Sequence, residues 1–182
     1  MKNIAIIDFV SDFSRLVEQA VIKAGGTYTT FSNTVEMDEL KKYDGIIFTG
    51  SSDTVYDGGK KIDKKVFELN KPILGICYGH QLVHYLLGGE VRRSLTPEHG
   101  NFFFHGKESK IFKGLKDTHQ VHMSHNDEVV KMAPGFENIG YSRTCAIAAT
   151  QNEEKRIYTL QFHPESYGNE CGIEIYRNFL EI

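Results

Sequence analysis

The segment Gly75-Ile76-Cys77-Tyr78-Gly79-His80-Gln81 sets one thiol between two glycines. An apolar run, Pro72 to Ile76, gives way there to a helical pattern, Tyr78 to Leu87, closed by Gly88-Gly89. A thiol on such a strand-to-helix corner projects into the crevice beyond the carboxyl end of the strand, where open α/β sheets bind ligands. Gly75 and Gly79 leave room for the close backbone approach of so sharp a turn. The helix start brings backbone N–H groups and a positive dipole end to the sulfur, favouring the thiolate. It also directs the Tyr78 amide at an oxygen of any substrate that Cys77 attacks. The chemistry expected is nucleophilic catalysis by Cys77. A cysteine packed in the core is the alternative, and the presence of a base decides between them.

A base is offered by Leu160-Gln161-Phe162-His163-Pro164-Glu165. A β-rich run, Arg156 to Phe162, delivers His163 to a strand end, and Pro164 halts the strand. His163 can take the thiol proton and return it to a leaving amine. Glu165 is close enough to hold the imidazole in one tautomer, as a third group must. Spacing alone does not bring Cys77 and His163 together; an exposed histidine in a turn is the competing reading of this segment.

The elements that must position these groups divide the chain in two. In the first half short apolar runs alternate with helical patterns. Strands are expected at Asn3–Asp8, Thr27–Phe31, Gly45–Thr49 and Pro72–Ile76, with helices at Ser11–Ala24 and Tyr78–Leu87. That alternation predicts a parallel sheet covered on both faces. In the second half strand-like pieces follow one another around 102–104, 120–123, 139–141, 146–150 and 157–162, before a final helix at Glu170–Leu180. The fold class is α/β: one open, mostly parallel sheet with helices on both faces and an antiparallel β extension.

The 182 residues fit a single domain, 1–182. A formal net charge of -3 gives no electrostatic reason to expect nucleic acid. Lys60, Lys61, Lys64 and Lys65 cluster, but Asp57 and Asp63 interrupt them, and a solvated helix face is expected. The start, MKNIAIIDFV, lacks the length and cleavage site of a signal peptide. No apolar stretch approaches the roughly 18 residues of a membrane span. A cytoplasmic protein is expected. The cysteines Cys77, Cys145 and Cys171 form no CxxC pair, so neither a metal site nor a disulfide framework is indicated. Cys145 and Cys171 receive no role.

Together, GICYGHQ and FHPE resemble the G-x-C-x-G-x-Q elbow and the F-H-P-E motif of the class I (triad) glutamine amidotransferase family, in the same order and at a matching separation. The resemblance covers nearly the whole chain. Within that family, Met123-Ser124-His125-Asn126-Asp127-Glu128-Val129, Tyr176-Arg177-Asn178-Phe179 and Thr54-Val55-Tyr56-Asp57 look like segments of the glutaminase subunit of GMP synthases. The resemblance implies a flavodoxin-like fold and hydrolysis of L-glutamine to glutamate and ammonia through a Cys77 thioester. It implies proton transfer by His163, oriented by Glu165. The backbone of Tyr78, Gly50 and Ser51 would form the oxyanion hole, and Gln81, Asn126 and Asp127 would bind substrate. No cofactor is expected in this chain. The partner implied is an ATP-dependent synthetase subunit of the GMP-forming ATP pyrophosphatase type, which would carry ATP and magnesium and aminate XMP to GMP.

Three segments depart from that pattern. The family loop S-G-G-P reads Thr49-Gly50-Ser51-Ser52. A side chain at Ser51 restricts positive φ, which predicts an oxyanion hole that is incomplete or formed only with a partner. The amino-terminal D-F/N-G-x-Q pattern reads Asp8-Phe9-Val10-Ser11-Asp12, and H-T-x-Y-G reads Gly168-Asn169-Glu170-Cys171-Gly172. Thr49–Thr54 also resembles the S-G-G-x-D-S loop of ATP pyrophosphatases, but it precedes the elbow, where an oxyanion loop belongs. No Walker A motif is present. The alternatives are an amidotransferase serving a different synthetase, a γ-glutamyl hydrolase or transferase working without a partner, and a regulatory binding subunit that retains the fold.

Overall fold

A computed structural model describes all residues, 1–182. Its frame is set by four short strands with every residue, or nearly every one, buried. These are Asn3–Asp8 (β1), Gly45–Phe48 (β3), Ile73–Ile76 (β4) and, far along the chain, Ile157–Leu160 (β9). Strands apolar on both faces belong in a parallel sheet covered twice. The pleat sends Ile4 and Ile6 of β1 into one cluster and Ala5 and Ile7 into the other. The first cluster is closed by helices Ser14–Lys23 (α1) and Gly172–Leu180 (α4), through Val17, Val21, Ile175 and Phe179. The second is closed by helix Tyr78–Leu86 (α3) through Leu82, Val83 and Leu86. Thr27–Ser32 (β2) forms the parallel edge, and a one-turn helix, Met37–Leu40 (α2), follows it.

The remaining strands are Glu90–Gly106 (β5), Thr118–Lys131 (β6), Glu137–Ser142 (β7) and Ala149–Asn152 (β8). All nine join one sheet in the order β2-β1-β3-β4-β9-β8-β7-β5-β6. The pairs from β2 to β9 are parallel, and the pairs from β9 to β6 are antiparallel. The expected α/β architecture is therefore present. β9 is the hinge of the arrangement, lying parallel to β4 and antiparallel to β8.

Three local expectations change. Helix α1 begins at Ser14 rather than Ser11. Asp8 Oδ1 accepts from the N–H groups of Val10 and Ser11 and from Ser14 Oγ, which holds the entry in a turn. The lysine cluster forms no amphipathic helix: only Lys64–Glu68 winds into a 3₁₀ turn, with Asp63 accepting from the Lys65 N–H. The pieces read at 102–104 and 120–123 belong to β5 and β6, a hairpin much longer than its apolar centre. Outside that centre the buried apolar residues are isolated ones such as Val91 and Val129, so alternation does not mark the strands there. Residues 94–97 bulge from β5 between the pairs Arg93↔Asp127 and Glu98↔His125. No helix is long and apolar enough to cross a membrane.

Candidate active site

Cys77 stands between β4 and α3 with φ 52° and ψ −103°. A non-glycine residue there stores strain of about 1–2 kcal/mol, maintained by its surroundings. The Cys77 N–H donates to Leu160 O of β9 at 2.8 Å, and the Gln81 N–H donates to Cys77 O at 3.1 Å. A Cβ on Gly75 would come within 2.8 Å of Gly79 O, and one on Gly79 within 2.6 Å of Phe48 O, so strand and helix meet only because both are glycine.

Behind the corner, α3 is tied to the sheet by a buried polar chain. The Ala133 N–H donates to His84 Nδ1, so His84 Nε2 carries the proton and donates to Thr150 Oγ1 at 2.8 Å. Thr150 Oγ1 is hydrogen-bonded to Thr159 Oγ1 at 2.6 Å, and Thr159 Oγ1 to His80 Nδ1 at 2.7 Å. Burial pushes His84 down to about 4 and holds His80 well below the ordinary histidine value. Both rings are neutral members of the core.

His163 follows β9 and is 3% exposed. Its Nδ1 lies 2.7 Å from Glu165 Oε1, whose side chain is fully buried. With Nδ1 donating to the carboxylate, Nε2 is left free of that bond; the Cys77 thiol, whose hydrogen bond goes to Ser124 O at 3.5 Å, is close enough to couple to the ring by charge. Burial by itself would lower the His163 pKa. The negative charges of Cys77 and Glu165 outweigh it and raise His163 well above 6.5. Phe13 packs on the ring at a centroid distance of 4.6 Å. The turn is braced from outside the motif: Asn169 Nδ2 donates to His163 O and Ser166 O, and Asn169 Oδ1 accepts from the His122 N–H. Tyr176 of α4 lies beside Glu165; burial first, and then that carboxylate, raise its phenol well above the ordinary value.

Strand β6 reaches both groups. His122 O accepts from the His163 N–H at 2.9 Å, and Ser124 O lies 3.5 Å from Cys77 Sγ. A pocket of about 180 Å³ opens in front of them. The expected residues Cys77, His163, Gln81, Asn126, Asp127 and Ser51 all line it. Glu165 stands behind His163. Gly50 is buried against it, where a Cβ would lie 2.9 Å from His163 Cε1. Tyr78 turns its side chain away, its hydroxyl donating to Lys60 O at 2.5 Å, and presents only its backbone. Neither the Tyr78 nor the Ser51 N–H donates to a backbone acceptor. Ser51 does not take positive φ, in keeping with the restriction expected of its side chain; its Oγ accepts from the Asp53 N–H. Gln81 Nε2 donates to Asp127 O at 2.9 Å and Gln161 Oε1 at 3.1 Å. Burial raises the Asp127 carboxyl, opposed by Arg93 and His125.

The pocket also gathers Ser11, Asp12, Phe13, Arg93 and His99, which sequence reasoning did not select. Arg93 and His99 flank the β5 bulge, and only the pairing of β5 with β6 brings them to the site. Cys145 is buried and Cys171 half-buried, and neither forms a disulfide.

The family model described as "Glutamine amidotransferase class-I" matches residues 5–182. A GMP synthase [glutamine-hydrolyzing] of Staphylococcus carnosus is 38% identical over 180 residues, covering 97% of this chain and 35% of that protein. One of Caldicellulosiruptor saccharolyticus is 39% identical over 181 residues, covering 97% and 35%. The chain thus spans about a third of the length of these curated relatives. Among solved structures, a putative GMP synthase subunit from Thermoplasma acidophilum superposes with a TM-score of 0.90 at 28% identity, covering 100% of this chain and 93% of that one. A glutamine amidotransferase of Thermotoga maritima, at 21% identity and a TM-score of 0.77, covers 90% and 76% and shares the fold.

Proposed function

Because the chain belongs to the class-I glutamine amidotransferase family, we propose that residues 1–182 act as one glutaminase domain, hydrolysing L-glutamine to L-glutamate and ammonia. The observation that carries this reading is the buried Glu165–His163 pair at 2.7 Å, whose His163 lines one pocket with the strained Cys77.

Cys77 Sγ attacks the carboxamide carbon, and the carbonyl electrons move to oxygen. The free N–H groups of Tyr78 and the Gly50–Ser51 loop stabilise that oxyanion, each donor being worth about 2.7–4 kcal/mol of barrier. His163 gives its proton to the leaving nitrogen; the C–N bond breaks, ammonia departs and a glutamyl thioester remains. Water, deprotonated by His163, attacks the thioester, and the C–S bond breaks to release glutamate. Glu165 holds the tautomer throughout. Gln81, Asn126 and Asp127, with Arg93, meet the α-amino and α-carboxylate groups.

The ammonia serves a separate synthetase that binds ATP and magnesium, in the cytoplasm, with XMP as acceptor and GMP as product. The names of the relatives support this acceptor. A chain of similar length described as a GMP synthase subunit supports a division of the two activities between separate chains. Val10, Leu95 and Tyr167 are 63%, 98% and 87% exposed and adjoin the pocket loops in sequence, as a docking rim for that partner would.

The test is glutamate release by the purified chain, alone and with a GMP-forming synthetase, ATP, magnesium and XMP. Low basal release, stimulated by the synthetase with matching GMP, is expected. Greater activity on γ-glutamyl amines than on glutamine would overturn the substrate, and absence of any hydrolysis would overturn the chemistry.

A further inference from the structure

A second carboxylate–imidazole pair forms part of the pocket wall: His125 lines the pocket, and Glu98 is buried behind it. His125 Nε2 is 3.0 Å from Glu98 Oε1, and both side chains are 1% exposed. The hydrogen bonds fix the proton count. His125 Nδ1 lies 2.8 Å from Asp127 O; a carbonyl only accepts, so Nδ1 carries a proton. Nε2 then either carries a second proton and donates to an ionised Glu98, or accepts from a protonated Glu98. In both cases the pair is neutral overall, which removes most of the cost of burying it. Glu98 Oε2 accepts from Ser142 Oγ at 2.7 Å, and Ser142 Oγ accepts from the Cys145 N–H. Burial would raise the Glu98 carboxyl; hydrogen bonds from His125, Ser142 and Thr144 outweigh it and hold it below the ordinary value. Cys145 Sγ belongs to the same cluster, within 4.8 Å of the carboxylate and the ring, but every polar atom of Glu98 and His125 is already engaged within the protein.

The pair's location gives it a task. Glu98 and His125 face one another immediately after the β5 bulge. Polar, glycine-containing strand segments have weakly specified register unless something buried pins them, and a bulge interrupts the ladder further. On one side of this fastening stand Arg93 and His99; on the other stand Ser124, Asn126 and Asp127, and all five line the pocket. Asp127 O is the shared node, accepting from His125 Nδ1 and from Gln81 Nε2 of the nucleophile's helix.

We propose that Glu98 and His125 are positioning residues that pin the β5 bulge to β6 and thereby set the affinity of the pocket for its amino-acid substrate, without tuning the reactivity of Cys77. The proposal rests on the glutaminase reading. It predicts a split between KM and kcat, because the pinned residues surround the substrate, while the Cys77 backbone is held from β4 and β9 and its thiol meets β6 only through the 3.5 Å contact with Ser124 O.

The experiment compares Glu98→Ala and Glu98→Gln with the parent in three readouts: KM and kcat for glutamine, thermal midpoint, and the rate of Cys77 alkylation by iodoacetamide mapped by mass spectrometry. Glu98→Ala is expected to raise KM about tenfold, with kcat and alkylation within about threefold of the parent. Glu98→Gln is expected to restore KM to within about threefold, since its amide can donate to a neutral His125 and its carbonyl can accept from Ser142. If Glu98→Ala does not fold, Ser142→Ala is read instead and should raise KM several-fold. An unchanged KM, a Gln variant as impaired as the Ala variant, or KM, kcat and alkylation failing together overturns the proposal. If the parent itself does not hydrolyse glutamine, the glutaminase reading has failed, and alkylation still reports on Cys77 independently.

Discussion

Gly50 and His163 are in direct contact: a Cβ on Gly50 would stand 2.9 Å from His163 Cε1 and 3.6 Å from Cys77 Cβ. The absence of a side chain at position 50 is thus a condition for the ring to sit beside the thiol. Gly50→Ala is expected to displace the imidazole by a few tenths of an ångström and lower kcat about 10- to 100-fold. A steady-state assay with saturating glutamine checks this; an unaltered kcat would show that the ring does not depend on Gly50.

The strain at Cys77 separates stability from activity. Cys77→Ala and Cys77→Gly should both abolish hydrolysis, yet glycine accepts φ 52° without cost. The Gly variant is therefore expected to be about 1 kcal/mol more stable than the Ala variant, after allowing for its looser unfolded chain. Urea denaturation of the two proteins measures the difference. Equal stabilities would mean that the elbow holds no strain.

Removing the charge of Glu165 should uncouple orientation from nucleophilicity. In Glu165→Gln the amide can donate to Nδ1 and select the wrong tautomer, so kcat is expected to fall by about 10²–10⁴. Circular dichroism should show the fold retained, and a variant with parental kcat would remove Glu165 from the mechanism.

His163 makes alkaline stability pH-dependent. Its folded-state pKa is raised well above 6.5 by Cys77 and Glu165 against the effect of burial. The native state therefore binds the proton more tightly than the unfolded chain. That stabilisation is complete below pH 6.5 and is lost as pH rises through the raised value. The stability difference between the parent and His163→Gln should shrink across the alkaline range; a difference independent of pH contradicts this account.

His84 acts in the opposite direction. Burial depresses it from 6.5 to about 4, so between those values the unfolded chain binds a proton that the native state refuses. Stability should fall as pH drops from 6.5 towards 4, by about 3 kcal/mol from this group. Denaturation at neutral and mildly acidic pH, for the parent and His84→Gln, should show a shallower acid slope in the variant. Matching slopes would place His84 outside this linkage.

The parallel half was legible because doubly buried strands leave unbroken apolar runs, as at Ile4–Ile7 and Ile46–Phe48. The elbow was legible because Gly75 and Gly79 flank a strand-to-helix change. The long hairpin was not, since residues such as Arg92, Arg93 and Asn126 face solvent or the pocket and interrupt any period of two. Arg93 and His99 reach the site through pairing across the bulge, a long-range fact with no local signature. Asn169 braces His163 from a loop whose sequence departs from the family pattern. Position 10 shows a departure borne by the backbone: Val10 takes φ 66°, a conformation suited to the glycine of that pattern.

β9 is the last strand in the sequence, yet it lies inside the sheet between β4 and β8. Its pairing with β4 spans most of the second half of the chain, so this contact has high sequence separation, which slows folding. During synthesis the thiol at the end of β4 is present long before the imidazole that follows β9. Assembly is therefore ordered in time: a nascent or truncated chain holds a cysteine without a base, and catalytic competence appears only when the final strand closes the edge of β4.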